Sequence, residues 1–311
     1  MSVTVVGSLN EDVLVSVARL PGRGETVIGR SAVLAPGGKG ANQAAAAGML
    51  AERGAGAVHM VGRVGEDPAG HRQLAALAAS RVDVSRVHRT PGAPTGSATI
   101  PVEDGTGENL IVVVPGANAA LTPEDAGVGS VRRAAVVLLQ LETPMATVTA
   151  AARAATGTVV LTPAPPQPLP AALRDRVDVL VPNEHELAQL AGAGPGERTP
   201  SELVRLARVV APCAVVVTLG ARGALVVLPE EHPLLQAPPP VTAVDTTGAG
   251  DCFCGALAHA LAAGTDLPAA VRFAVTAAAI STTGPGARGA LPDAAAVRAL
   301  LPRVPAATPV G

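Results

Sequence analysis

The chain of 311 residues has no tryptophan and no tyrosine, and its only aromatics besides histidine are Phe253 and Phe273. Aromatic platforms for stacking nucleic-acid bases are therefore largely excluded. A purine or sugar bound here is held by aliphatic side chains, backbone and polar groups. Cysteine is nearly as scarce. Cys213, Cys252 and Cys254 cannot build a disulfide framework, and no Cys-x-x-Cys pair offers a zinc or redox site. They read as buried or incidental thiols. Charge of one sign is missing too: the net charge is −2, without the basic excess of a nucleic-acid binder. No apolar run reaches the roughly 18 residues of a membrane span. Met1 leads into Val3-Thr4-Val5-Val6 with no basic stretch ahead of an apolar one, unlike a signal peptide. The expectation is a cytoplasmic protein whose partners are small molecules, neither nucleic acid nor membrane.

Apolar residues are plentiful, 48% against 15% charged, enough for a large core. Short β-branched runs recur at Val3–Val6, Val58–Val61, Val136–Leu139, Val159–Leu161, Val179–Val181, Val215–Thr218 and Ala224–Val227. Their continuous apolar character predicts parallel strands covered on both faces. Between them, Gly40–Glu52, Pro68–Ala79, Pro123–Ala134, Pro144–Ala155, Glu184–Leu190 and Ser201–Val210 predict helices, several opened by a proline whose missing N–H does no harm there. This alternation predicts a doubly wound α/β domain spanning residues 1–311. Four segments break the rhythm: Val13–Val17, Thr26–Val33, Ser97–Val102 and Asn109–Val114, the last two flanking a Gly-containing turn. They predict a small antiparallel sheet near residues 13–33 and 97–114, either a lid that excludes water or ordinary edge hairpins.

The sharpest motif is Asp245-Thr246-Thr247-Gly248-Ala249-Gly250-Asp251, feeding the Ala-rich run Cys252–Ala263. Successive small residues let backbone N–H groups point into one concavity, and a helix N-terminus adds about half a positive charge. Such an anion hole suits the charge of a transferring phosphoryl group. Asp251 at its mouth can take the proton of an attacking hydroxyl. Read plainly, it is a helix-start carboxylate after a tight turn; the second acid six residues earlier favours the functional reading. Gly37-Gly38-Lys39-Gly40-Ala41-Asn42-Gln43 opens the first long helix. Its paired glycines allow close ligand approach, its Lys39 and Asn42 can bond hydroxyls, and it lacks the spacing of a Walker A loop.

Gly7-Ser8-Leu9-Asn10-Glu11-Asp12 follows the first strand, where α/β folds bind ligands. Asn10 and Asp12 there can grip vicinal hydroxyls or simply form a turn. Asn183-Glu184-His185-Glu186 and Gln140-Leu141-Glu142 follow two further strands. Glu186 either complements a helix dipole or holds hydrated Mg²⁺, and His185, without a second ligand at metal spacing, reads as structural. Thr218-Leu219-Gly220-Ala221-Arg222-Gly223 is a phosphate cradle or a hairpin turn.

In this order the motifs resemble the ribokinase family of carbohydrate kinases, from Val3 to about Pro292, with Gly107-Glu108-Asn109, Pro115-Gly116-Ala117-Asn118-Ala119-Ala120-Leu121 and Pro163-Ala164-Pro165 adding to the match. The resemblance implies a Rossmann-like α/β fold: a doubly wound, mostly parallel sheet with helices on both faces, plus a small β-sheet lid that also serves as a homodimer surface. It implies transfer of the ATP γ-phosphoryl group to the 5-hydroxyl of D-ribose. Asp251 is then the catalytic base, and Gly248, Ala249 and Gly250 form the anion hole. Asn10, Asp12, Gly38, Lys39, Asn42 and Glu142 match sugar-binding positions. Asn183, Thr218, Gly220, Gly223 and Gly250 match the ATP side, and Glu186 holds Mg²⁺ through water. A monovalent cation, K⁺, is implied at Asp245, Thr247, Ser281, Gly284 and Gly286. Two features depart from the pattern: Ala290 stands where a hydroxyl residue often ends the cation loop, and Val275 and Thr276 flank the adenine position.

The competing readings are a kinase for another pentose such as 2-deoxyribose, a nucleoside kinase, and a non-catalytic sugar or nucleotide sensor on the same fold. A sensor has no need of a base at the anion hole. A Rossmann dehydrogenase needs G-x-G-x-x-G after the first strand, and Gly7–Asp12 lacks it.

Overall fold

The computed structural model of the chain describes residues 2–51 and 58–310. The strands are β1 (Val3–Val6), β2 (Asn10–Val17), β3 (Gly29–Gly37), β4 (Val58–Gly65), β5 (Val82–Thr90), β6 (Gly96–Glu103), β7 (Val112–Val114), β8 (Val136–Leu139), β9 (Thr158–Leu161), β10 (Val179–Leu180), β11 (Ala214–Thr218), β12 (Ala224–Val227), β13 (Leu234–Gln236) and β14 (Thr308–Pro309). Ten form one sheet in the order β14-β13-β12-β11-β10-β9-β8-β1-β4-β5, and β3-β2-β6-β7 form a second. Alternate side chains of the large sheet enter two separate cores. Val5 and Leu138 pack with the helices Lys39–Leu50, Ala249–Ala262 and Leu267–Ser281, whereas Val6 and Leu139 pack with Met145–Ala154 and Pro200–Val210. Burial on both faces is why these strands read as unbroken apolar runs.

From β5 across to β11 every pairing is parallel. The expected strand Ala224–Val227 is present as β12, but it runs antiparallel to β11. The link Leu219–Gly223 is too short for the crossover a parallel partner needs. The expected helix Pro123–Ala134 is divided into Pro123–Ala126 and Gly129–Arg133. The helix expected over Gly40–Glu52 spans Lys39–Leu50, and Glu52 lies outside the described residues.

The second sheet is mixed and not antiparallel as expected. β2 pairs with β6 in parallel from Asn10↔Gly96 to Val17↔Glu103, while β2–β3 and β6–β7 are antiparallel. A whole β-strand, helix and strand series separates β2 from β6 in the chain, so no hairpin constrains their direction. Apolar side chains are exposed on and beside its edge strands β3 and β7: Ile28 is 88% exposed, with Val33, Leu34, Ile111, Val112 and Val114 also in solvent.

β1 is flanked by β4 on one side and β8 on the other, although the chain makes β4 long before β8. The order reverses at this point, and the crevice beyond the strand ends is where such sheets bind ligands. The loops Gly7–Leu9 after β1 and Gln140–Thr143 after β8 open into it. Among the described residues no helix is long and apolar enough to cross a membrane.

Candidate functional site

Gly248 caps the helix Ala249–Ala262 with φ +72°. A Cβ there would press on Ala287, so both backbone conformation and close approach require glycine. The helix's own bonding starts when the Cys252 N–H reaches the Gly248 carbonyl at 2.8 Å. The Gly250 and Asp251 amides lie in the first turn, where no helical carbonyl precedes them. The Ala249 amide differs: it turns back to the Thr246 carbonyl at 3.2 Å, so it is committed internally and is not a free donor of the anion hole.

The Asp251 carboxylate faces inward and is gripped twice. Asn42 Nδ2 donates to Oδ2 at 3.0 Å and Gln43 Nε2 to Oδ1 at 3.2 Å. Each carboxamide is itself oriented from behind. Arg288 Nε donates to Asn42 Oδ1 at 2.8 Å, and Gln140 Nε2 to Gln43 Oε1 at 2.6 Å. A side chain on Gly7 would collide with Gln140, so the first loop also bears on this arrangement.

Asn10 and Asp12 start β2. Asn118 clasps the strand root: its Oδ1 accepts from Leu9 N at 2.9 Å, and its Nδ2 donates to the Leu9 carbonyl and to Asn10 Oδ1 at 2.8 Å. The buried Gln73 Nε2 bonds the backbone carbonyls of Asn10 and Gly37, a directly paired couple on β2 and β3. Glu142 Oε2 accepts from Ser8 Oγ at 2.5 Å and Lys39 N at 3.1 Å. Gly38, at φ +87°, has no room for a Cβ beside the backbone of Leu9 and Asn10. Burial, reinforced by Glu142 and Asp251, pushes the Asp12 carboxyl up to about 6 against the opposing charges of Arg288 and Lys39. Burial disfavours the Lys39 ammonium, but Asp251, Glu142 and Glu186 outweigh it and hold its pKa above the usual lysine value.

A cleft of about 170 Å³ brings Lys39, Asn183, Glu186, Thr218, Gly250 and Asp251 together. Asn183 and Glu186 cap their helix reciprocally, each side chain accepting the other's backbone N–H at 2.8 Å. Burial raises the Glu186 pKa despite that hydrogen bond. Only its Oε2 is used in the cap, which leaves Oε1 for another donor. Thr218 bridges to Asn183 across strands. Gly220 and Gly223 do not line the cleft. They shape the β11–β12 turn at φ +56° and +90°, and Gly223 packs against the Gln236 carbonyl.

Asp245 fastens the loop that follows the helix Leu267–Ser281. Its Oδ1 accepts from Thr247 N at 2.8 Å and its Oδ2 from Gly286 N at 2.7 Å. These bonds hold its carboxyl below the ordinary aspartate value even though burial works the other way. Gly284 faces the Ala290 methyl across the same loop. The structure does not deliver Ser281 to the loop: its hydroxyl is buried and donates to the Ala278 carbonyl at 2.8 Å. Val275 and Thr276 are also buried, Val275 in the core and the Thr276 hydroxyl on the Arg272 carbonyl. Neither offers a surface to a base.

Three residues of the site have no role in the sequence reading although all stand inside its motifs: Gln43, Gln140 and Arg288. The available signal was their polarity in otherwise small, apolar stretches, since a buried amide or guanidinium needs partners.

The model of the pfkB family of carbohydrate kinases matches residues 1–294. The chain is 38% identical over 305 residues to the ribokinase of Bacillus subtilis, covering 96% of this chain and 99% of that protein. It is 33% identical over 306 residues to the deoxyribokinase of Salmonella typhi, covering 94% and 96%. Among solved structures, ribokinase from Thermotoga maritima superposes with a TM-score of 0.86 at 34% identity, over 97% of this chain and 99% of that one. Arabidopsis thaliana ribokinase, complexed with ribose and ATP, gives 0.86 at 35% identity over 96% and 98%.

Proposed function

This chain belongs to the pfkB family of carbohydrate kinases, and from that premise we propose that it transfers the γ-phosphoryl group of ATP to the 5-hydroxyl of D-ribose. The observation that carries the reading is Asp251: a carboxylate at a helix start, beside the Gly250 and Asp251 amides that no helical carbonyl reaches, held in place by two oriented carboxamides. Asp251 takes the proton of the attacking hydroxyl while the Gly250 and Asp251 amides and the helix dipole stabilise charge on the moving phosphoryl group. Asn10, Asp12, Asn42 and Glu142 hold the sugar's other hydroxyls, with Gly38 letting it approach the backbone and the Lys39 ammonium placed among the acids. Asn183 and Thr218 face the nucleotide from the far side of the cleft.

Mg²⁺ suits the donor set present. Among the described residues no three His, Cys, Asp or Glu side chains gather as a metal-binding group; Glu186, with one carboxylate oxygen outside its helix cap, would hold the ion through water, the mode Mg²⁺ favours, and a bound Mg²⁺ would supply neutralisation of phosphate charge. For K⁺, Asp245 retains lone pairs beyond its two amide bonds, and Thr247, Gly284 and Gly286 would supply further oxygens from the loop. A cytoplasmic location, where ATP is available as donor, fits this reading. The exposed apolar residues on and beside β3 and β7 supply the surface on which two copies pair, with the four-stranded sheets acting as lids over the acceptor.

The test is an ADP-release assay over pentoses, hexoses and nucleosides with Mg²⁺, in K⁺ or Na⁺. D-Ribose is expected to have the highest kcat/KM. A preference for 2-deoxyribose moves the substrate assignment, and no ADP release with any sugar overturns the catalytic reading.

A further inference from the structure

The loop that Gly286 ties to Asp245 also sends a guanidinium away from itself and into the acceptor side of the site. Arg288 Nε donates to Asn42 Oδ1 at 2.8 Å, and Nη2 to the Gly37 carbonyl at 3.3 Å. Nη1 is buried and has no partner among the described residues. Native proteins rarely leave a buried guanidinium donor unmatched unless something else completes it. Burial pushes the Arg288 pKa down to about 10 against the opposing charges of Asp251 and Asp12, and no described carboxylate bonds to it. The arm is not loose. Gly289 has no space for a Cβ beside the Pro285 carbonyl, and Gly284 abuts Ala290, so the backbone that carries Arg288 is tightly folded.

An asparagine side chain presents an acceptor at one end and donors at the other. With Oδ1 occupied by a guanidinium, Asn42 has a single productive orientation, Nδ2 toward Asp251. Without that bond the amide can turn and set its oxygen against the carboxylate.

We propose that Arg288 is a residue of the acceptor subsite, fixing the Asn42 carboxamide toward Asp251 and giving its unpartnered Nη1 to a hydroxyl oxygen of the acceptor sugar. This rests on the sugar-kinase reading above. It assigns to the loop following Gly286 a direct part in sugar selection, through its own side-chain cation. Lysine cannot reproduce it, because an ammonium lacks the planar fork that reaches Asn42 and Gly37 together with a third oxygen.

The experiment compares wild type with Arg288→Gln and Arg288→Lys by D-ribose titration calorimetry, with a non-hydrolysable ATP analogue present, and by steady-state kinetics. The ribose Kd and KM are expected to rise about tenfold or more in both variants, with the ATP KM within about twofold of wild type. In Arg288→Ala, guanidinium chloride at low millimolar concentration, far below denaturing levels, is expected to restore part of the ribose affinity. An unchanged ribose KM, or equal rises for ribose and ATP, overturns the proposal. Should Arg288→Gln fail to fold, the Lys variant decides on the same criteria. Wild-type enzyme that phosphorylates a different sugar overturns the ribose assignment alone, and the comparison is then read with that sugar. Wild-type protein that binds no sugar overturns both.

Discussion

Replacing Asp251 by asparagine keeps the size of the side chain and removes its ability to accept a proton. Both carboxylate oxygens now receive N–H groups, from Asn42 and Gln43, so whichever position becomes the amide nitrogen meets a donor. Neither neighbour is free to turn round, because Arg288 and Gln140 hold their carbonyl ends. The donor–donor contact destabilises the resting site by about 1–3 kcal/mol. Loss of a general base adds about 3–5 kcal/mol to the barrier, a factor of roughly 10²–10⁴ in rate. The expected outcome is a kcat about 10³-fold lower or worse in a coupled ADP-release assay. The ATP KM is expected to stay within about threefold, since Asn183, Thr218 and Glu186 are untouched. Urea unfolding reads the ground-state penalty separately. A variant whose kcat stays within tenfold of wild type removes Asp251 from the proton transfer.

Asp12 titrates near 6, above its usual 3.8, chiefly because it is buried. The native state thus binds its proton more tightly than the unfolded chain. That stabilisation is complete below the unfolded value near 4 and is lost as pH rises past about 6. Asp12→Asn is therefore expected to be more stable than wild type at pH 8, by about 1–2 kcal/mol after solvent screening, with no advantage at pH 4 and a higher ribose KM; equal stability at both pH values refutes this. Ile111→Glu together with Val112→Glu puts charge among the exposed apolar residues at the β7 edge of the second sheet and is expected to halve the mass seen by light scattering, and a monomeric wild type refutes the pairing surface. Replacing K⁺ by Na⁺ at constant ionic strength is expected to lower the rate severalfold, and indifference to the ion leaves Asp245 as a loop fastener only.

The central strands were legible because burial on both faces gives an unmistakable continuous apolar run, as in Val136–Leu139. β5 was not: after the buried Val82 its side chains are partly or fully exposed through Thr90, and at the edge of a sheet the pattern weakens. The direction of β6 against β2 was hidden for a different reason. Pairing direction depends on the intervening chain, and no local signal in Gly96–Glu103 records it. At the site, the motifs pointed to Asp251, Asn42 and Asp12, and the structure brings the Asp251 and Asn42 side chains into contact. The Ser281 hydroxyl turns back onto its own helix, and a sequence does not show which way a hydroxyl turns. Arg288 stayed silent because its meaning lies in Asn42, 246 positions away in the chain.

Gln73 bolts down Asn10 and Gly37 where β2 and β3 leave the main body, and Asn118 clamps the preceding residue. Any swing of the outer sheet is therefore anchored at that pair, and the Asp12 carboxylate, which packs against Gly37, is anchored with it. One glutamine thus ties down two strand roots and, through them, an acid of the cleft.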